Sequence, residues 1–198
     1  ILMLAKISSS IVDWQIRKGY LEDRDRAVYQ YGYELLINQS INILVAVFIS
    51  ILFHSFDIVF IFLLSYIPLR SFCGGYHAGT NLMCTVISGV ILCCICYGVN
   101  YIMESPILYG YPVMFIFSGC FVGCFAPVAD KNKPLDEEET IRYHKCSCII
   151  WAIQVVIGLS AYIIWKKIGL IIASSHLVLV IMLWAGIIKN LVSLFRNE

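Results

Sequence analysis

The chain has 198 residues, 60% of them hydrophobic and 14% charged, with a formal net charge of +1. A soluble domain carries about 45–50% apolar and about 25% charged residues, so a water-soluble globule is excluded and an integral membrane protein is expected. A net charge this small gives no electrostatic case for nucleic acid, and no nucleic-acid partner is expected.

Residues 1–34 read as an interfacial helix pair, amphipathic and charged, on the cytoplasmic face. Ile1, Leu4, Ile7, Ile11 and Trp14 recur at three- and four-residue steps and form one apolar stripe, while Lys6 and Asp13 take other faces. Such a helix lies in the membrane plane. The following "RKGYLEDRDRAVYQYGYE" is charged and belongs in water or headgroups. Lys6, Asp13, Arg17 and Lys18 interrupt residues 1–20, so no cleavable signal peptide is expected there. The sequence starts on Ile rather than Met, so its first residue need not be the native start.

A helix needs about 20 apolar residues to cross the bilayer core. Leu35–Phe53 fits and carries Asn38, Gln39 and Asn42, polar residues that share a face. The next span reaches full length only if it takes in Phe56 and Asp57 and continues toward Phe72. Cys84–Met103, Ile107–Ala126, Cys146–Ile164 and Gly169–Ile188 follow. The expected fold is an all-α polytopic membrane protein. It has six transmembrane helices, an N-terminal amphipathic interfacial helical region (1–34) and a glycine-rich loop between helices 2 and 3 within the membrane domain, 35–198.

Lys and Arg set the orientation. Twelve lie before the first span, at Arg70, in the fourth-to-fifth connection (Lys131, Lys133, Arg142, Lys145) or in the tail; only Lys166 and Lys167 lie on the other side. Both termini and the glycine loop are therefore expected on the cytoplasmic face of the cell membrane. Asp57 is expected at the outer end.

Cys93, Cys94, Cys96, Cys120 and Cys124 fall inside apolar runs, where cysteine acts as a small hydrophobe. "HKCSC" (144–148) offers His144, Cys146 and Cys148 but no second ligand pair at zinc spacing, so no metal or other cofactor is expected.

The chemistry concentrates in "LRSFCGGYHAGTNLMC", residues 69–84. His77 and Cys84 are seven residues apart, about 10 Å along a helix at ~1.5 Å per residue, too far to pair. Gly74, Gly75 and Gly79 break the helix, however, and Thr80 suits an N-cap whose oxygen takes a backbone N–H of the next turn. Cys84 then belongs to the first helical turn and His77 to the loop, which is free to fold back onto the sulfur. A helix N-terminus contributes about 0.3–1 kcal/mol, under one pKa unit, so a thiolate there still needs the imidazole as its base. Arg70 adds positive charge beside the pair. Cys73 is a weaker rival nucleophile because it precedes the glycines. Backbone N–H groups near Leu82–Cys84 are candidate oxyanion donors. Asn81, Ser71 and Asp130 are open candidates for a third, His-orienting group.

Arg70, "CGGYHA" (73–78), Cys84 and the later "ADKNKPL" (129–135) in a small six-span chain resemble the accessory gene regulator B family of membrane cysteine endopeptidases in Gram-positive quorum sensing. The resemblance covers most of the chain. It implies Cys84 as nucleophile and His77 as general base, with Arg70, Gly74 and Gly75 supporting the site. It implies an AgrD-like propeptide as substrate, cleaved on the N-terminal side of its acidic tail and cyclised to a thiolactone. It also suggests a homodimer. Lys131 and Lys133 are candidates to bind the acidic tail. The rival readings are a non-enzymatic peptide transporter or export channel, and a membrane adaptor; neither an internal repeat nor an intramembrane ionisable pair speaks for the former.

Overall fold

The computed structural model describes residues 2–76, 78–105, 110–129 and 135–195. Among these residues seven α-helices run in order: α1 (Leu2–Arg17), α2 (Arg26–Leu52), α3 (Phe56–Cys73), α4 (Asn81–Met103), α5 (Pro112–Phe125), α6 (Glu137–Ile164) and α7 (Lys166–Phe195). Among the described residues the only strand-like pairing is one isolated parallel bridge, Gly74 to Val128. The chain divides into two compact units: residues 1–49 with 78–90, and residues 50–77 with 91–198.

In the first unit, α1 lies against the N-terminal turns of α2. Arg26 bonds Asp13 and Asp23, Gln15 Nε2 donates to Tyr33 Oη (2.6 Å), and Ser8 Oγ donates to Glu34 Oε1 (3.3 Å). Ser8 and Val12 are fully buried. These partners explain why α2 runs unbroken from Arg26 across position 34 into the apolar segment. The part of the charged stretch from Arg26 to Glu34 is helical, with its polar groups satisfied by α1. Farther along, Gly89 of α4 lets Val45 and Ile49 of α2 approach, at 3.7 and 3.8 Å from where a Cβ would lie.

In the second unit α7 is the axis, packed against α3, α5 and α6. Of its most apolar 18-residue window 61% is buried, against 33% or less for the other long apolar helices. Lys167 Nζ pairs with Asp57 Oδ2 at 2.5 Å, so α3 and α7 start at the same end. At their other end a core forms from Leu69, Cys73, Val122, Ala126, Val128, Leu179 and Leu183. α6 starts on an N-cap: Asp136 Oδ1 accepts from Glu139 N at 2.7 Å, and Glu137–Glu139 fill the positive first turn.

Among the described residues, five helices are long and apolar enough to cross a membrane: Asp23–Leu52, Phe56–Cys73, Asn81–Met103, Glu137–Ala161 and Lys166–Ser193. Large apolar side chains such as Phe48, Ile116, Val156 and Ile181 point outward, 54–69% exposed. A surface of this kind needs lipid rather than water around it. The predicted second span takes in Phe56 and Asp57, as full length required. The predicted fourth span differs. Residues 106–109 lie outside the described residues, and α5 has 14 residues from Pro112. Pro112 sits at the first helical position, where its missing N–H costs nothing; inside a longer helix it would break the ladder. At ~1.5 Å per residue α5 is about 21 Å long, short of the ~30 Å bilayer core.

Candidate active site

Cys84 lies on the first turn of α4, and the local geometry there is that of a capped helix. Met83 N donates to Thr80 Oγ1 at 3.2 Å, and Cys84 N donates to Thr80 O at 3.0 Å. Residues 78–80 are non-helical, so no continuous helix joins them to Cys84. The Cys84 side chain is half-buried. One expectation changes. The N–H groups of Met83 and Cys84 are both spent on Thr80, which removes two of the three oxyanion donors expected near Leu82–Cys84. His77, Lys131 and Lys133 lie outside the described residues.

The second unit holds the glycine loop, and it is tied down residue by residue. Val128 N donates to Cys73 O (2.9 Å), Gly75 N donates to Val128 O (3.1 Å), and Tyr76 N donates to Met182 O of α7 (2.8 Å). Gly74 has φ +68° and Gly75 φ +112°, both in territory that L side chains rarely adopt. Space is equally restrictive. A Cβ on Gly74 would overlap the Val128 carbonyl, and one on Gly75 would stand 2.8 Å from both Met182 O and Arg70 Nη1. Gly186 completes the fit from α7: a Cβ there would meet Tyr76 N and Gly75 C at 2.7 Å.

Arg70 reaches across this loop. Its Nη2 donates to the Tyr76 carbonyl, while Nη1 is buried without a hydrogen-bond partner. Lys189 Nζ stands 5.4 Å from the centre of the Tyr76 ring, a cation–π contact. Asn190 Nδ2 donates to Ala129 O at 2.8 Å and holds the strap that follows the cis Ala126–Pro127 bond. The structure thus brings Arg70, Gly74 and Gly75 together and fixes the backbone up to Tyr76.

Sequence reasoning missed Val128, Met182, Gly186 and Asn190, which hold the loop through contacts remote in sequence. It also missed a polar chain inside the second unit, built from Ser65, Ser118, Trp151, Gln154 and His176. The available signal was His176 itself, an ionisable residue in the middle of an apolar span. Among the described residues no group of three or more His, Cys, Asp or Glu side chains is placed to hold a metal ion.

Among the described residues, five long apolar helices define a multi-pass α-helical membrane protein. The chain belongs to the accessory gene regulator B family, whose model matches residues 5–188. It is 25% identical over 181 residues to a "Putative AgrB-like protein" of Lactiplantibacillus plantarum, covering 89% of this chain and 86% of the relative. It is 29% identical over 185 residues to a protein of the same description in Clostridium perfringens strain SM101, covering 90% and 85%. "Putative AgrB-like protein 2" of Clostridium perfringens strain 13 is 28% identical over 174 residues, covering 84% and 81%. No solved structure matches the chain. The family takes part in agr quorum-sensing peptide processing.

Proposed function

We propose that the chain is a membrane-embedded cysteine endopeptidase that removes the acidic C-terminal tail of an AgrD-like propeptide and promotes closure of a thiolactone ring. The observation that carries this reading is the Thr80 cap, which starts α4 at Asn81 and sets Cys84 on its first turn, after a glycine loop rather than within a continuous helix. His77 takes the Cys84 proton. The thiolate attacks the carbonyl carbon preceding the tail, and His77 returns the proton to the leaving amine as the C–N bond breaks. The product is a Cys84 thioester. The peptide's own cysteine, deprotonated by His77, then attacks that carbonyl. The Cys84 thiolate leaves and regains the proton. Thioester exchange is nearly balanced in energy whereas hydrolysis runs downhill, so a site that excludes water favours the ring, and tethering gives the peptide thiol a high effective concentration.

The experiment uses the purified chain in liposomes with a propeptide substrate. Wild type is expected to cleave and to form a thioester-linked adduct. Cys84→Ser should form no thioester adduct and His77→Ala should lose cleavage by orders of magnitude. Cleavage by Cys84→Ser at the wild-type rate would refute the assignment.

In the same reading, Lys131 and Lys133 bind the acidic tail on the cytoplasmic face, where both termini lie, and six spans include α5 as the short one. The four acids at 136–139 do not compete for this role in full, because Asp136 caps α6 and the three glutamates fill its first turn. Reversing both lysines to glutamate is expected to slow processing about tenfold, equivalent to 1.4 kcal/mol, and the deficit should shrink at high salt. Unchanged processing at low salt would remove tail binding from the account. The homodimer is part of the proposal as well, and crosslinking in liposomes tests it.

A further inference from the structure

A sulfur–imidazole pair stands on α6. Cys148 Sγ lies 3.8 Å from His144 Nε2, one helical turn away. The other ring nitrogen, Nδ1, lies 2.7 Å from the carbonyl oxygen of Ala126. A carbonyl only accepts, so Nδ1 carries the proton and Nε2 presents its lone pair to the thiol. The backbone carbonyl orients the base, and the base faces the nucleophile: this is the arrangement of an activated thiol. Ala126 O is fixed in turn, since it follows α5 directly and its own N donates to Val122 O at 3.2 Å. Cys148 is half-buried and packs against the cluster that contains Cys73, Ala126 and Val128.

We propose that Cys148, with His144 as its base, is a thiol-modification site that takes low-molecular-mass disulfides. The Cys148 S–H proton passes to His144 Nε2. The thiolate attacks one sulfur of the disulfide, the S–S bond breaks, and a Cys148 mixed disulfide forms. The departing thiolate takes the proton from His144 and leaves as a thiol. The protein thiol is oxidised and the small disulfide is reduced, so no further reactant is required.

Cys146 is the internal control. It is on the same helix, two residues away, and is likewise half-buried. The full chain in liposomes, carrying Cys84→Ser to silence that thiol, is treated with bis(2-hydroxyethyl) disulfide, and each cysteine is followed by peptide mass spectrometry. Cys148 is expected to react about tenfold faster than Cys146. His144→Gln keeps a donor for Ala126 O but has no base, and should bring Cys148 to within about twofold of Cys146 while leaving Cys146 unchanged. Equal rates at the two cysteines in the otherwise unaltered chain would overturn the proposal without reference to any His144 variant. A Cys148 rate untouched by His144→Gln would overturn it too. The outcome is independent of whether Cys84 is a peptidase nucleophile.

Discussion

Replacing Gly74 by alanine is expected to cost about 3 kcal/mol of stability and to abolish processing. At φ +68° and ψ −144° the residue occupies backbone territory open essentially to glycine alone, worth about 1–3 kcal/mol of strain for any other residue. The new Cβ would also overlap the Val128 carbonyl, which is backbone and has no rotamer to yield. If Val128 moves, the bonds Gly75 N to Val128 O and Val128 N to Cys73 O go with it, at about 1 kcal/mol each. The loop then loses its registration ahead of His77, so on the proposed mechanism the base no longer meets the sulfur. Gly98→Ala is the matched control: it lies inside α4 with nothing within 4 Å of its would-be Cβ, and alanine there should be neutral or slightly stabilising. Thermal unfolding in detergent together with propeptide cleavage in liposomes reads both effects. If Gly74→Ala melts within a degree of the Gly98→Ala control and cleaves normally, the Val128 carbonyl does not hold the loop.

Local chemistry was readable in the sequence, and long-range closure was not. The Thr80 cap follows from three adjacent positions, Gly79, Thr80 and Asn81, because capping is decided within one turn. The lengths of α3 and α4 follow from apolar runs, because lipid rewards length whatever the neighbours do. Pro112 carried a local warning about the fourth span, which its apolar surroundings masked. The continuity of α2 across position 34 was hidden for a different reason. Its charged turns are helical only because Asp13, Gln15 and Ser8 of α1 meet them, a fact of tertiary pairing. The strap is the extreme case. Val128 is 53 residues from Gly75, and Met182 is 106 residues from Tyr76, so no window of sequence contains both partners. Even so, the double glycine was legible as the end of α3. What was missing is the reason for the two glycines: each gives up its Cβ to a carbonyl from another element.

The buried polar chain gives the second large effect, and its wiring predicts a non-additive result. Gln154 Nε2 donates to Ser65 O at 2.9 Å, which turns Gln154 Oε1 toward His176 Nε2 at 2.8 Å and makes that nitrogen the donor. Trp151 Nε1 donates to Ser118 Oγ at 3.0 Å, and the Ser118 hydroxyl can donate to His176 Nδ1 at 3.0 Å. One direction of donation thus links α6, α5, α7, α6 and α3, with His176 and Ser118 fully buried. His176→Leu strands Gln154 Oε1, whereas Ser118 retains a partner by turning its hydroxyl to Phe115 O at 2.9 Å. Gln154→Leu strands His176 Nε2 and leaves Ser65 O without its second donor. Each single change should therefore cost about 1–3 kcal/mol, most of it the penalty of an orphaned polar atom. The double change removes donor and acceptor together, so it should cost less than the two singles combined, by about 1 kcal/mol; pairs measured inside membranes reach ~1.7 kcal/mol. A double-mutant cycle on unfolding in detergent measures this difference. Strict additivity would mean that the His176–Gln154 bond carries no energy of its own, and that apolar packing alone holds α6 and α7 in register.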